Sequence, residues 1–207
     1  MENQSVTIAA NRIIDAIESD NCYHLLIAGD NQCIHFQKKD IIYLMCLRSG
    51  QAEIRRISDN TVVAYIKSPA ILGLTLYKET KTLHYLKTTC SSELLMVNHE
   101  QGMNLINEKT LWKEAFLLSI NMTNTCYMRD ENFISRNVYG IIRQHLELIW
   151  EMDPDIRVTL SMIDFILNRT TISRSSLNKI LKELSAGGYI KTRRGILLEK
   201  YTLPLKY

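Results

Sequence analysis

The sequence predicts an α+β chain: an N-terminal antiparallel β-roll, a long helix, and a C-terminal helix-turn-helix completed by a hairpin. Three observations predict it. Residues 22–98 fall into short runs rich in β-branched residues, separated by turn-forming stretches. Residues 99–129 switch to helical periodicity. The last forty or so residues combine a basic amphipathic helix, two glycines and a basic hairpin tip.

At the N-terminus, Ile8, Ile13, Ile14 and Ile17 recur at helical spacing and predict a short helix over 1–20. The strand-like runs that follow are "HLLIAG", "CIHFQK", "IIYLMCLRSG", "QAEIRRI", "TVVAYIK" and "ELLMVN". The stretches "GDNQ", "RSGQ", "SDNT" and "KSPA" break them at close intervals, as an antiparallel roll, barrel or sandwich requires. "HEQGMNLINEK" reads as a short helix and "TLWKEAFLLSINMTNTCYMR" as a long one. In the long helix Leu111, Ala115, Leu118, Met122 and Thr125 follow a 4-3-4-3 step, the seam of a coiled-coil-like contact. Trp112, Phe116 and Ile120 form a second apolar line beside it. A helix apolar on two sides needs two partners. The β-roll is one expected partner and a second copy of the helix the other, which makes the 4-3-4-3 residues the expected dimer interface.

Length and composition narrow the function. The 207 residues suffice for one large or two small domains, and 46% apolar content with only three prolines excludes a disordered chain. The longest apolar run, 41–47, is far too short to cross a bilayer, so no membrane partner is expected. "MENQSVTIAANR" is no signal peptide, and the expected location is the cytoplasm. Cysteines 22, 33, 46, 90 and 126 stand singly without CxxC spacing, which argues against a disulfide framework or a metal site. The sequence contains no GxSxG, HExxH, P-loop or GxGxxG. Asp153 and Asp155 flank a proline and read as a loop, so no catalytic residues are assigned and no enzyme is expected.

Charge is unevenly divided. Residues 168–207 hold nine Lys/Arg against two acids, a net of +7, whereas the whole chain carries +3, leaving −4 on the first 167 residues. A patterned basic end on an acidic body points to a polyanion-binding module.

The pattern of that end is specific. A boundary is expected near 129–137, followed by a helix in "VYGIIRQHLELIWEM" with Ile141, Ile142, Leu146 and Ile149 on one side. After the break "DPDIR", "LSMIDFILNR" forms the next helix and "TTIS" a turn. In "SRSSLNKILKELS", Ser173 is the expected N-cap, and Leu177, Ile180, Leu181 and Leu184 make one buried stripe. Arg174, Ser175, Ser176, Asn178, Lys179 and Lys182 are then candidates for an exposed polar face. Gly187 and Gly188 end the helix, and "YIKTRRGILLEKYTL" gives a hairpin with Arg193 and Arg194 at its tip. This order fits a winged helix-turn-helix on double-stranded DNA. The major groove admits one helix whose outward side chains address base edges, while basic groups neutralise phosphates.

Across nearly the whole chain, the succession of short helix, β-roll, long helix and winged helix resembles the CRP/FNR superfamily of bacterial transcription regulators. "IIYLMCLRSGQAEI" is similar to its strand–Gly turn–strand signature, "SPAILGLTLY" to its "PGDILGE" segment, and "ISRSSLNKILKELSAGGYI" to its recognition helix. Within the superfamily the resemblance is to the enterobacterial IprA/YaiV type. It implies a cyclic-nucleotide-binding-like, cupin-like β-roll over 1–106, a dimerisation helix over 107–130 and a DNA-binding domain over 131–207. It further implies a homodimer on double-stranded DNA, with RNA polymerase as a further partner. Arg174 would carry the main base contact, supported by Lys179 and Lys182. Two departures bear on the target sequence: the turn around "LNRTTI" is a few residues longer than usual, and Ser175 stands where CRP has a Glu.

The family's cyclic-nucleotide binders hold phosphate with a Gly-Glu pair and a following Arg. Here Leu74 follows Gly73, no Arg lies between Arg56 and Arg129, and Lys78 and Lys81 are poor substitutes for a guanidinium fork. No cofactor is therefore expected, and the cysteines do not reproduce the family's iron–sulfur pattern. The residues leave open a haem sensor using His24, His35, His84 or His99, a redox sensor on one of the cysteine thiols, another effector, or a protein-interaction adaptor on the same fold.

Overall fold

The structure, a computed structural model, describes residues 4–77, 79, 81–134 and 137–204, with residues 129–134 described by their backbone. Lys78 and part of the 129–137 boundary stretch lie outside the described residues. The chain divides into two compact units, Met1–Tyr127 and Met128–Tyr207.

The first unit opens with α1 (Gln4–Asp20), which buries Ala9, Ala10, Ile13, Ile14 and Ile17. Its inner stripe runs through the two alanines, and Ile8, placed in that stripe by spacing alone, is exposed. Among the described residues nine strands follow: β1 (His24–Ala28), β2 (Cys33–His35), β3 (Gln37–Lys38), β4 (Ile41–Ser49), β5 (Gln51–Arg56), β6 (Val62–Lys67), β7 (Ala70–Leu72), β8 (His84–Thr88) and β9 (Ser92–Asn98). They form two antiparallel sheets, one ordered β1-β9-β4-β3 with β7 also on β4, the other β2-β8-β5-β6. The β-roll expected from the sequence is thus present; the run "CIHFQK" divides into β2 and β3, and β7 and β8 are added to the six anticipated runs.

Strand β4 explains why its sequence is continuously apolar. Side chains alternate across a strand; Met45 and Leu47 enter the core between the sheets, while Leu44 and Cys46 enter a second core beneath the helices. Helix α2 (His99–Glu108) starts at Asn98, whose side chain accepts from the Glu100 and Gln101 amides. Helix α3 (Trp112–Ile134) then runs past the start of the 129–137 stretch.

The apolar lines of α3 are assigned differently from the sequence expectation. Leu111, Ala115 and Leu118 are buried in the helix-side core of their own chain. Met122 packs partly on the inter-sheet core, and Thr125 is exposed with its hydroxyl bonded to the Asn121 carbonyl. Leu111, Ala115 and Leu118, with part of Met122, thus pack within the chain on the line where the sequence expected a dimer seam. The exposed line is the other one: Trp112, Phe116, Ile120 and Tyr127, with Phe116 and Tyr127 each 68% exposed. An ion pair between Arg12 and the buried Glu114 further ties α1 to α3.

The second unit comprises α4 (Val138–Glu151), α5 (Pro154–Arg157), α6 (Met162–Leu167), α7 (Arg174–Ala186) and the hairpin β10 (Ile190–Arg193)–β11 (Ile196–Lys200). Asn137 caps α4 through the Gly140 amide. The stretch read as a loop around Asp153 and Asp155 is one helical turn, because Asp153 caps the Asp155 amide and Pro154 suits the first helical position. Ile142, Leu146 and Ile149 of α4 meet Phe165 and Ile166 of α6, Leu177, Leu181 and Leu184 of α7, and Ile190 and Leu197 of the hairpin. Among the described residues no helix is long and apolar enough to cross a membrane.

His145 sits in this second core, 1% exposed, with Nδ1 bonded to the Ile141 carbonyl. Burial holds its imidazole below the ordinary value, only partly opposed by that bond. The unfolded chain then binds a proton that the folded unit refuses, so stability falls as pH drops below about 6.5, the unperturbed imidazole value. Urea midpoints compared at pH 7.5 and pH 5 should fall in wild type and fall less in His145→Leu. An equal fall in both proteins would assign the pH dependence to other groups.

Candidate nucleic-acid interface

The site is built on α7. Its start is fixed by Ser173, whose hydroxyl accepts from the Ser176 amide at 3.1 Å and also contacts the hydroxyls of Ser175 and Ser176 at 2.9 Å. Its end is fixed by a pair of reverse bonds, Gly188 amide to Ser185 carbonyl at 3.1 Å and Tyr189 amide to Leu184 carbonyl at 2.9 Å. That Schellman arrangement needs a left-handed residue at its turn. Gly188, at φ +74°, supplies it, whereas Gly187 stays helical at φ −77°.

Between these ends Leu177 and Leu184 are fully buried and Leu181 nearly so, with Ile180 half-buried beside them. Burying that stripe turns the opposite face outward. Arg174, Ser175, Ser176, Asn178, Lys179 and Lys182 are all exposed, and the structure brings them together on one helix.

The preceding helix is shorter than the sequence suggested. Ser161 caps α6 through the Asp164 amide at 3.3 Å, and α6 ends at Leu167, so the turn runs from Asn168 to Ser173. Within it the Thr170 hydroxyl donates to the Ile166 carbonyl at 2.8 Å. Arg169 lies over the Phe165 ring at 3.5 Å and donates to the Phe165 carbonyl, so its charge is drawn back against the motif.

The hairpin turns at Arg194 and Gly195, whose φ values of +53° and +81° match the twist of a two-residue reversal. Arg193 and Arg194 are exposed at its tip. The Met162 amide donates to the Gly195 carbonyl at 2.8 Å, which pins the tip to the start of α6. Behind the tip Lys191 pairs with Glu199 at 2.9 Å, and the Tyr201 hydroxyl donates to Glu199 at 2.6 Å. The pairing pushes Lys191 up and Glu199 down from their ordinary values. Among the described residues, Lys179, Lys182, Arg193 and Arg194 carry no ion pair, whereas Arg174 faces Asp164 at 3.5 Å. Sequence reasoning missed that contact, because the two residues lie ten apart across a turn.

The β-roll contains a cavity of about 200 Å³. Phe36, Ile54, Ile71 and Leu83 line it, with Leu118, Ser119, Met122 and Cys126 of α3 closing one side. Gly73 and Leu74 reach it, and among the described residues its lining includes no Asp, Glu, Lys or Arg. Of the open haem candidates, His84 lines the cavity, His35 stacks on Tyr85, and burial lowers His99. His24 lies on β1 and is exposed. All five cysteines are free thiols; burial pushes Cys46 and Cys22 up, while Cys33 is exposed.

Residues 138–205 match the family described as winged helix-turn-helix DNA binding. The fold is one shared with solved regulators. It is similar to the c-di-GMP responsive global regulator CLP of Xanthomonas campestris, with a TM-score of 0.72, 16% identity, and 93% of this chain and 100% of that one covered. It is also similar to a regulator assigned to the crp/fnr family from Eubacterium rectale, with a TM-score of 0.68, 15% identity, and 92% and 90% covered. The chain therefore shares the fold of these regulators, and its C-terminal part matches a winged helix-turn-helix DNA-binding model. Among characterised sequences it is 28% identical over 151 residues to the inhibitor of hydrogen peroxide resistance of Salmonella typhimurium, covering 72% of each chain. The protein of that name from Escherichia coli K12 is 28% identical over 161 residues, covering 76% of each.

Proposed function

We propose that the protein is a homodimeric, sequence-specific regulator that reads double-stranded DNA through α7 and the wing, without a conventional cyclic-nucleotide site. The observation that carries the reading is the exposed face Arg174–Ser175–Asn178–Lys179–Lys182, opposite a completely buried leucine stripe and flanked by Arg193 and Arg194. A helix with that face can enter a major groove, where Arg donates two bonds to guanine and Asn and Ser address bases or phosphates. The name of the 28%-identical relatives suggests that the regulated genes govern hydrogen peroxide resistance. RNA polymerase is the further partner of such a regulator.

Selection from a random duplex pool, followed by genome-wide mapping, tests the reading; failure to enrich any motif would favour a protein-interaction adaptor. On an enriched duplex, Arg174→Ala should cost about 1–3 kcal/mol and relax one position per half-site. Replacing Arg193 and Arg194 should weaken enriched and scrambled duplexes alike and flatten the salt slope by about one unit per lost phosphate contact. Titrations at several salt concentrations separate the two roles.

The dimer is proposed through the exposed line Trp112, Phe116, Ile120 and Tyr127, which leaves a long apolar face on one helix. Phe116→Arg should give a monomer in sedimentation at micromolar concentration while the fold persists. Leu118→Arg should instead unfold the first unit, since Leu118 is 8% exposed in the chain's own core. A wild-type monomer under the same conditions would remove the proposal.

The cavity's lining, with no Asp, Glu, Lys or Arg among the described residues, supports the absence of a cyclic-nucleotide site, because it holds no guanidinium or ammonium to pair with a phosphate. Calorimetry at millimolar cyclic AMP or cyclic GMP should show no saturable heat. A single-site isotherm would overturn this part.

A further inference from the structure

Residues 160–198 contain seven basic residues and two acids, Asp164 and Glu183. Asp164 is exposed on α6 and faces Arg174, the first residue of α7, with Oδ1 at 3.5 Å from Nη2. An exposed carboxylate there weakens attraction to phosphates, so as a surface charge it works against a polyanion-binding module.

Its position relative to the two helices gives it another use. Asp164 lies in the first turn of α6, where the helix dipole favours an anion. Arg174 lies in the first turn of α7, where the same field disfavours a cation, and that turn contains no acid of its own. Asp164 therefore supplies from a neighbouring helix the counter-charge that the first turn of α7 lacks. Both side chains are more than half exposed, 63% for Arg174 and 61% for Asp164, so the pair stands at the surface. A guanidinium has five N–H donors in a rigid fork. The carboxylate faces one of its nitrogens, so Nε and Nη1 remain able to donate into a groove.

We infer that Asp164 is a positioning residue that holds the Arg174 guanidinium for base reading, exchanging general phosphate attraction for sequence discrimination. The inference rests on the DNA-reading role proposed above. Asp164 narrows the rotamers of a long, otherwise mobile side chain before DNA arrives, and less entropy is lost when the base contact forms. It simultaneously repels backbone phosphates at sites where Arg174 finds no guanine.

The test uses the full chain, a duplex enriched by wild type from a random pool, and a scrambled duplex of equal length. Asp164→Asn should weaken binding to the enriched duplex about threefold to fivefold, the upper part of the range of an exposed ion pair, and leave the scrambled duplex unchanged or slightly tighter. Asp164→Glu should restore much of the discrimination. In an Arg174→Ala background, Asp164→Asn should change the enriched complex no further, and thermal midpoints should show that every variant is folded. Unchanged discrimination in Asp164→Asn, equal tightening on both duplexes, or a loss that persists without Arg174 would each overturn the inference. If wild type enriches no sequence, the DNA-reading role itself falls and this inference with it.

Discussion

Complete burial of Leu177, Leu181 and Leu184 is the constraint on which the winged-helix unit depends. At 3.6 residues per turn, fixing one stripe of α7 fixes the direction of every other side chain on it. Those leucines are held by α4, α6 and both strands of the hairpin, so the rotation of α7 is set from several sides. The polar face can then be short and closely spaced, because no residue on it is needed for packing. The same core ties the wing to the motif. Ile190 and Leu197 enter it, and the Gly195 carbonyl receives the Met162 amide, which holds the tip carrying Arg193 and Arg194 against the start of α6 rather than on a loose loop.

The β-roll unit solves a different problem with the same physics. Its central strand β4 is covered on both faces, which requires one core between the sheets and a second beneath α1, α2 and α3. The cavity lies where this packing is incomplete, between the β7–β8 connection and α3. Among the described residues its lining combines apolar side chains with Thr75, Thr82, His84 and Ser119 and holds no Asp, Glu, Lys or Arg.

Much of this was legible in the sequence, because local chemistry and global packing agree. Ser173 before a leucine stripe, glycines after it, and an Arg-Gly turn between apolar strands each have one inexpensive conformation. Other features were not legible. Strand β7 has three residues and β8 reads "HYLKT", too short or too mixed to stand out beside the polar stretch before them. The stretch "DPDIR" became a helical turn through an aspartate cap that a proline-centred reading overlooks. The two apolar lines of α3 were visible, but periodicity does not say which of them the β-roll covers. That choice was made by volume: small Ala115 permits close approach to the core, whereas Trp112 and Phe116, the bulkier side chains, remain outside.

On the proposed DNA-reading role, the winged-helix unit also divides attraction from selection. Lys179, Lys182, Arg193 and Arg194 act at a distance of about a Debye length and respond to any polyanion. Lys191 and Lys200 are already matched within the fold, to Glu199 and Glu147. Selection has to come from groups that work at hydrogen-bond range, and for these orientation matters more than charge. An unrestrained Arg at the start of α7 would add attraction everywhere and select little. A carboxylate ten residues earlier in the chain, but adjacent in space, changes that balance. It removes net charge from the surface while giving one cation a direction, so a small loss of general affinity becomes a means of discrimination.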